Sequence, residues 1–197
     1  MFKDTQGWFP SPFFTNLFPM LVFATFFIDY IVPRLTAGKG AKPFEKSDRG
    51  SYLVISMAVF LALAIGISIR QRNIGTSSGL FQWAGLIVML VGLFLREWAL
   101  VKLGRFFSRS VQIEPGHRII KEGPYRWIRH PAYTGMLLID TGVVMAIGTW
   151  LGALLAFIIT TAGILYRITV EEKALLQTFG MEYQEYMAQT WKLLPGW

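Results

Sequence analysis

The residue types able to do chemistry in this chain are gathered in two stretches, 102–131 and 167–197, of an otherwise apolar sequence. The first closes on Gly123-Pro124-Tyr125-Arg126-Trp127-Ile128-Arg129-His130-Pro131-Ala132-Tyr133-Thr134-Gly135. Pro131 suits the first turn of a helix, which puts Arg129 and His130 at a helix N-terminus with its unsatisfied amide donors. A rigid cationic fork beside an imidazole is a poor lipid anchor and a good receptor for an anion or an adenine-type ligand. Arg126, Trp127 and the tyrosines read as interfacial anchors. Upstream, Glu114-Pro115-Gly116-His117 has proline and glycine where a type II turn takes them, between Val111-Gln112-Ile113 and Arg118-Ile119-Ile120. The pattern predicts a short hairpin or a folded loop. In the second stretch Arg167 and Glu171 lie four apart on one helical face, with Glu172 alongside. They form either a surface ion pair or the two-signed half of a site. Beyond Gly180, Tyr183, Tyr186, Met187, Thr190, Trp191 and Leu194 recur every three or four residues and predict an amphipathic helix on the membrane or on the site.

Several chemistries are excluded. The chain has no cysteine, so it offers no thiolate nucleophile and no cysteine zinc site. His117 and His130 lack HExxH spacing, and no metal site is expected. Neither a GxGxxG nor a P-loop pattern occurs, so a nucleotide-like cofactor would need an architecture other than a Rossmann fold.

The elements that must position these residues are membrane helices. Of 197 residues 53% are hydrophobic and 16% charged, and the mean hydropathy is +0.44. That is too apolar for an ordinary soluble domain of this length. Apolar runs at 13–32, 52–69 and 80–95, the last reaching 101 past Arg96 and Glu97, predict three spans. The first is too long for a signal-peptide core and reads as retained. Runs at 133–147 and 150–166, separated only by Gly148 and Thr149, predict a tight hairpin with legs of about 22 to 26 Å. Outside the spans, fifteen lysines and arginines fall on the side of the third loop and C-terminus, against three on the other. The positive-inside rule therefore puts the N-terminus outside and both polar stretches in the cytoplasm. The net charge of +7 is topology, and no nucleic-acid partner is expected. Ala58, Ala62 and Gly66, and likewise Gly148, Gly152 and Ala156, recur every fourth residue and predict close helix contacts. Asp140, mid-hairpin, calls for a partner, with Arg96 the candidate. No internal repeat supports a transporter.

Gln112, His117 to Ile120, Gly123-Pro124-Tyr125, Arg129-His130-Pro131-Ala132-Tyr133-Thr134-Gly135, a short apolar hairpin, then Arg167, Glu171-Glu172, Phe179-Gly180, Tyr183 and Tyr186 follow in that order. Over about 102–190 this resembles the isoprenylcysteine carboxyl methyltransferase family, and the size is similar to its prokaryotic members. The resemblance implies an all-α integral membrane protein of five transmembrane helices, the last two a short hairpin. Residues 1–101 would form a three-helix transmembrane region, and 102–197, containing the 133–166 hairpin, a cytoplasmic cofactor-binding and catalytic region. It implies S-adenosylmethionine as cofactor, held by Gln112, His117, Arg118, Ile119, Ile120, Tyr125, His130, Pro131, Ala132, Tyr133 and Glu171. Arg167 matches the family's substrate-binding arginine, with Arg129 as a second catalytic candidate in support. The substrate implied is a prenylated cysteine entering from the bilayer lipids. Methyl transfer from a sulfonium cation to a carboxylate neutralises charge, which a dry site favours, and it needs no general base. The RHPxYxG, EE and FGxxY pattern is shared with other membrane methyltransferases and, more loosely, with sterol reductases. Phospholipid or small-molecule methylation, NADPH-dependent reduction and a non-catalytic scaffold stay open at this point.

A shared cytoplasmic face has a direct check, because the chain lacks cysteine. Single cysteines at Lys121 and Gln189 should react with an impermeant thiol reagent from the cytoplasmic side only. Labelling from opposite sides would overturn the five-span arrangement.

Overall fold

The computed structural model describes residues 9, 11–36, 50–77, 79–106 and 118–196. Six helices account for most of them: α1 (Pro12–Thr36), α2 (Ser51–Gln71), α3 (Gly79–Leu103), α4 (Pro131–Ile147), α5 (Trp150–Phe179) and α6 (Met181–Gln189). Short 3₁₀ turns follow α3 at Gly104–Phe106 and precede α4 at Gly123–Arg126. Among the described residues the architecture is all-α, with two isolated bridges and no longer strand. Helices α2, α3 and α5 are long and apolar enough to cross a membrane, whereas Phe13–Thr25 of α1 and the whole of α4 are shorter apolar pieces. Their outward faces carry bare apolar side chains such as Phe23, Phe60, Leu80 and Phe94. So much exposed hydrocarbon belongs against lipid.

Helix ends fall where local chemistry puts them. Pro131 opens α4 at the position where a missing N–H costs nothing. Gly148, at φ 91°, closes it in the left-handed region that a side chain resists. Thr149 then caps α5 by accepting the Gly152 N–H at 3.1 Å. The two legs of this hairpin are unequal, with 17 residues in α4 and 30 in α5. No proline or glycine interrupts 164–179, so α5 carries Arg167, Glu171 and Glu172 on one rigid rod up to Gly180.

Two antiparallel helix pairs make the core, and glycine lets both close. A Cβ on Gly92 would lie 2.7 Å from the Gly135 carbonyl oxygen, and one on Gly142 2.5 Å from Met89 N. The α3 and α4 backbones therefore touch along Gly85, Gly92, Gly135 and Gly142, a seven-residue spacing on both helices. In lipid, where apolar side chains gain little by leaving their surroundings, close backbone packing is the main source of helix association. Helix α2 meets α5 through Ala62, Gly66, Gly152 and Ala156, all buried. With Ala58, which faces Gly163, five of the six small residues expected at contacts lie in this pair, while Gly148 serves the turn. Phe14 and Phe18 of α1 pack on Leu86, Met89, Val143 and Ala146.

Two expectations are corrected. The last amphipathic segment does not remain helical to Leu194: α6 stops at Gln189, and Thr190 is extended at φ −136° and ψ 150°. Trp191 pairs instead with Ile128 as a parallel bridge, because the carbonyls and amides of 127–130 are open to it. Asp140 does not take Arg96 as its partner. Its Oδ2 accepts the Thr160 hydroxyl, and Oδ1 has no hydrogen-bond partner among the described residues. The turn around Glu114–His117 lies outside the described residues.

An alanine at Gly135 would push a Cβ to 2.6 Å from both the Gly92 oxygen and Arg96 Cβ. Gly135→Ala should lower the thermal midpoint in detergent, with overpacking costing about 1–3 kcal/mol. An unchanged midpoint would contradict backbone contact between α3 and α4.

Candidate active site

The start of α4, the far end of α5, α6 and the chain's last residues converge at one end of the bundle. The segment 127–130 is held by its own backbone: Trp191 N donates to Trp127 O at 2.9 Å, Arg129 N to Trp191 O at 2.8 Å and His130 N to Lys192 O at 3.2 Å. One turn into α4, the Thr134 hydroxyl donates to Leu193 O at 2.6 Å. Beneath it, Tyr186 of α6 donates its hydroxyl to Tyr125 O at 2.6 Å. Burial raises the Tyr125, Tyr183 and Tyr186 phenols well above their ordinary value, with Glu171 adding to the shift at Tyr125. They stay neutral, and Tyr186 acts as a donor.

Neighbouring glutamates of α5 serve two separate networks, since successive helical residues point about 100° apart. Glu172 is the hub of the first. Arg129 Nε donates to its Oε1 at 3.1 Å, His130 Nε2 lies 3.2 Å from the same oxygen, and Lys192 Nζ lies 3.7 Å from Oε2. Arg129 Nη1 also donates to the carbonyl oxygens of Met187, at 2.8 Å, and Thr190. These belong to the end of α6, where a cation favours the exposed carbonyls. The guanidinium thus braces α6 against α5, with its charge set on Glu172.

Glu171 anchors the second network. Tyr133 donates its hydroxyl to Glu171 Oε2 at 2.7 Å, and the same oxygen of Tyr133 accepts from Arg167 Nε at 3.0 Å. Arg167 Nη1 donates to Ser51 Oγ at 2.6 Å. A cation and a carboxylate are held apart on the two sides of one phenol, four residues from each other along α5. Arg167 is buried, while Tyr133 and Glu171 are partly open. Arg96, the charge interrupting α3, donates to Ala132 O at 3.1 Å and ties the first turn of α4 to α3.

Of the residues expected to act together, Tyr125, Arg129, His130, Pro131, Ala132, Tyr133, Arg167 and Glu171 meet here. Arg118 is exposed, Ile119 and Ile120 are partly buried, and Gln112 and His117 lie outside the described residues. Ser51, Arg96 and Lys192 are additions, and Glu172 has a larger part than its place beside Glu171 suggested. A charge inside an apolar run was a signal for Arg96. Nothing in the sequence singled out Ser51, 116 residues from its partner.

The model of the isoprenylcysteine carboxyl methyltransferase (ICMT) family matches residues 83–177, a stretch that contains α4, Arg167 and both glutamates and leaves α2 outside. The chain is 33% identical over 115 residues to a probable protein-S-isoprenylcysteine O-methyltransferase of Oryza sativa subsp. indica, covering 57% of this chain and 60% of that one. It is 32% identical over 143 residues to protein-S-isoprenylcysteine O-methyltransferase B of Arabidopsis thaliana, covering 69% of this chain and 73% of the relative. It is also similar to the solved structure of the eukaryotic intramembrane Ras methyltransferase ICMT, with a TM-score of 0.58 and 26% identity over 72% of this chain and 52% of that one. The chain therefore spans 60% of the rice relative's length and 73% of the Arabidopsis one. Motif order, helix arrangement and these likenesses agree: the chain is a multi-pass integral membrane protein and belongs to the isoprenylcysteine carboxyl methyltransferase family.

Proposed function

We propose that this protein transfers a methyl group from S-adenosylmethionine to the C-terminal carboxylate of a prenylated cysteine or a similar lipid-tailed carboxylate. The observation that carries this reading is Arg167 and Glu171 held on opposite sides of the Tyr133 hydroxyl. A dipolar cofactor and an anionic substrate need such a pair of opposite charges, close together and at the end of a membrane bundle.

The donor set suits the cofactor. Glu171 offers a carboxylate for its amino group, and the Tyr125 and Tyr133 rings offer aromatic faces that attract a cation. When bound, S-adenosylmethionine supplies a methyl group on a positively charged sulfur. The chain's own residues then have positioning to do. Arg167 aims the carboxylate, Tyr133 sets the spacing between Arg167 and Glu171, and the buried setting of Arg167 limits competing water. No residue need act as a base, because a free carboxyl with a pKa of about 3.5 is already ionised.

In this reading α1 and α4 join α2, α3 and α5 as the five spans, the N-terminus lies outside, and the site faces the cytoplasm. The lipid tail reaches it sideways from the bilayer. Arg129, with its donors turned to Glu172 and to α6, is a positioning residue for the wall of the site.

Detergent-purified protein should bind S-adenosylmethionine and not NADPH in calorimetry, and the reverse would mark a reductase. Glu171→Ala should weaken cofactor binding roughly 10 to 150-fold, the cost of a charge-assisted hydrogen bond of about 1.5–3 kcal/mol. Glu172→Ala should chiefly lower the thermal midpoint, since it leaves buried cations without their carboxylate. Arg167→Lys should reduce methylation of a prenylated cysteine by a similar factor with cofactor affinity nearly intact, because lysine lacks the planar fork. Loss of cofactor binding in a folded Arg167→Lys protein would move Arg167 into the cofactor pocket.

A further inference from the structure

We propose that Ser51, at the start of α2, is a positioning residue that sets the guanidinium of Arg167 for the substrate carboxylate. This rests on the reading of Arg167 given above and extends the site to a helix that carries none of the motif residues.

Ser51 is completely buried, and its Oγ accepts from Arg167 Nη1 at 2.6 Å. Arg167 Nε is meanwhile fixed to the Tyr133 hydroxyl at 3.0 Å. A guanidinium is planar and its donors point in fixed directions, so bonds from two of its nitrogens to two different helices set both the tilt and the rotation of the plane. The Ser51 bond acts on a different nitrogen from the Tyr133 bond and so adds a second fixed direction to the plane. A carboxylate gains from the bidentate geometry of arginine only when the plane already faces it.

The helix register explains why a serine on α2 can do this. Helices α2 and α5 run antiparallel, and a Cβ on Gly163 would lie 2.7 Å from Ala58 Cβ and 3.5 Å from Ile55 Cα. The α5 backbone therefore approaches α2 closely at Gly163. Four residues further along α5 stands Arg167, and four residues back along α2 from Ile55 stands Ser51. Residues four apart share a helix face, so the close approach at Gly163 brings Ser51 and Arg167 together. Gly50, at φ 70°, starts α2 immediately before this serine, so the hydroxyl sits in the first turn rather than on a loop. Serine is short enough to fit a fully buried place and can accept the charged N–H.

The test measures recognition rather than turnover. Affinities for S-farnesylated N-acetylcysteine as free carboxylate and as carboxamide are compared by tryptophan fluorescence in detergent, for the parent, Ser51→Ala, Arg167→Lys and the double variant. The parent should prefer the carboxylate, and Ser51→Ala should reduce that preference about tenfold while leaving S-adenosylmethionine affinity unchanged. In the Arg167→Lys background Ser51→Ala should have no further effect, an outcome that general loosening of the fold would not give. Ser51→Cys, close in shape with a weaker acceptor, should keep the fold and give an intermediate preference. An undiminished preference in Ser51→Ala, or an equal loss in both backgrounds, overturns the role of Ser51 alone. A folded parent that binds S-adenosylmethionine yet shows no preference for the carboxylate overturns the reading of Arg167, and the positioning role with it.

Discussion

A charge withdrawn from water must find opposite charge or hydrogen bonds within the protein, and in this chain nearly all the structure around the site follows from that requirement. Arg129 and Arg167 are both largely enclosed, and Glu172 is buried. Their partners come from the start of α4, the end of α5, the end of α6 and the first turn of α2. Four pieces of chain distant in sequence are thereby drawn to one place. The division of labour between Glu171 and Glu172 follows from the helix itself. Adjacent side chains face different directions, so one carboxylate braces the C-terminal segment while its neighbour is left partly open toward the site.

This charge arrangement depends on how closely the helices approach. Arg96 reaches Ala132 O because α3 and α4 touch through glycine, and Ser51 reaches Arg167 because Gly163 lets α5 lie against α2. A larger residue at either crossing would move a helix by more than a hydrogen bond can stretch. The apolar half of the molecule is therefore part of the site's geometry, although it supplies few of the site's polar atoms.

Much of this was legible in the sequence. The apolar runs marked the helices, Pro131 marked the start of α4, and the four-residue step from Arg167 to Glu171 showed that they share a face. Each is a local signal, written in neighbouring residues. Long-range partners were harder to see. Ser51 looks like any serine at a helix start, and Thr160 like any threonine in a membrane helix. The paired glycines of α3 and α4 have an audible seven-residue rhythm only when the two helices are compared. The segment 190–194 has a helical spacing of apolar residues yet leaves the helix after Gln189, with the backbone of Trp191 and Lys192 pairing with 127–130 instead. Arg129 has the type and place of an anion receptor, while its partners Met187 O, Thr190 O and Glu172 lie too far along the chain to be read from neighbouring residues.

The seam between α4 and α5 carries polar pairs at two depths. Tyr133 and Asp140 are seven residues apart on α4, and Thr160 and Arg167 are seven apart on α5. Arg167 bonds Tyr133 at one level and Thr160 bonds Asp140 at the other, about 10 Å deeper along the helices, with Leu137 and Ile164 buried between. Apolar side chains choose register weakly in lipid, because the surrounding chains are as apolar as leucine and a slipped helix loses little. Polar pairs are less forgiving: a shift of one turn would strand a carboxylate, a hydroxyl and a guanidinium together. The deep pair adds a polar mark to the register that the short Gly148-Thr149 turn already sets between α4 and α5, one level below the bond from Arg167 to Tyr133.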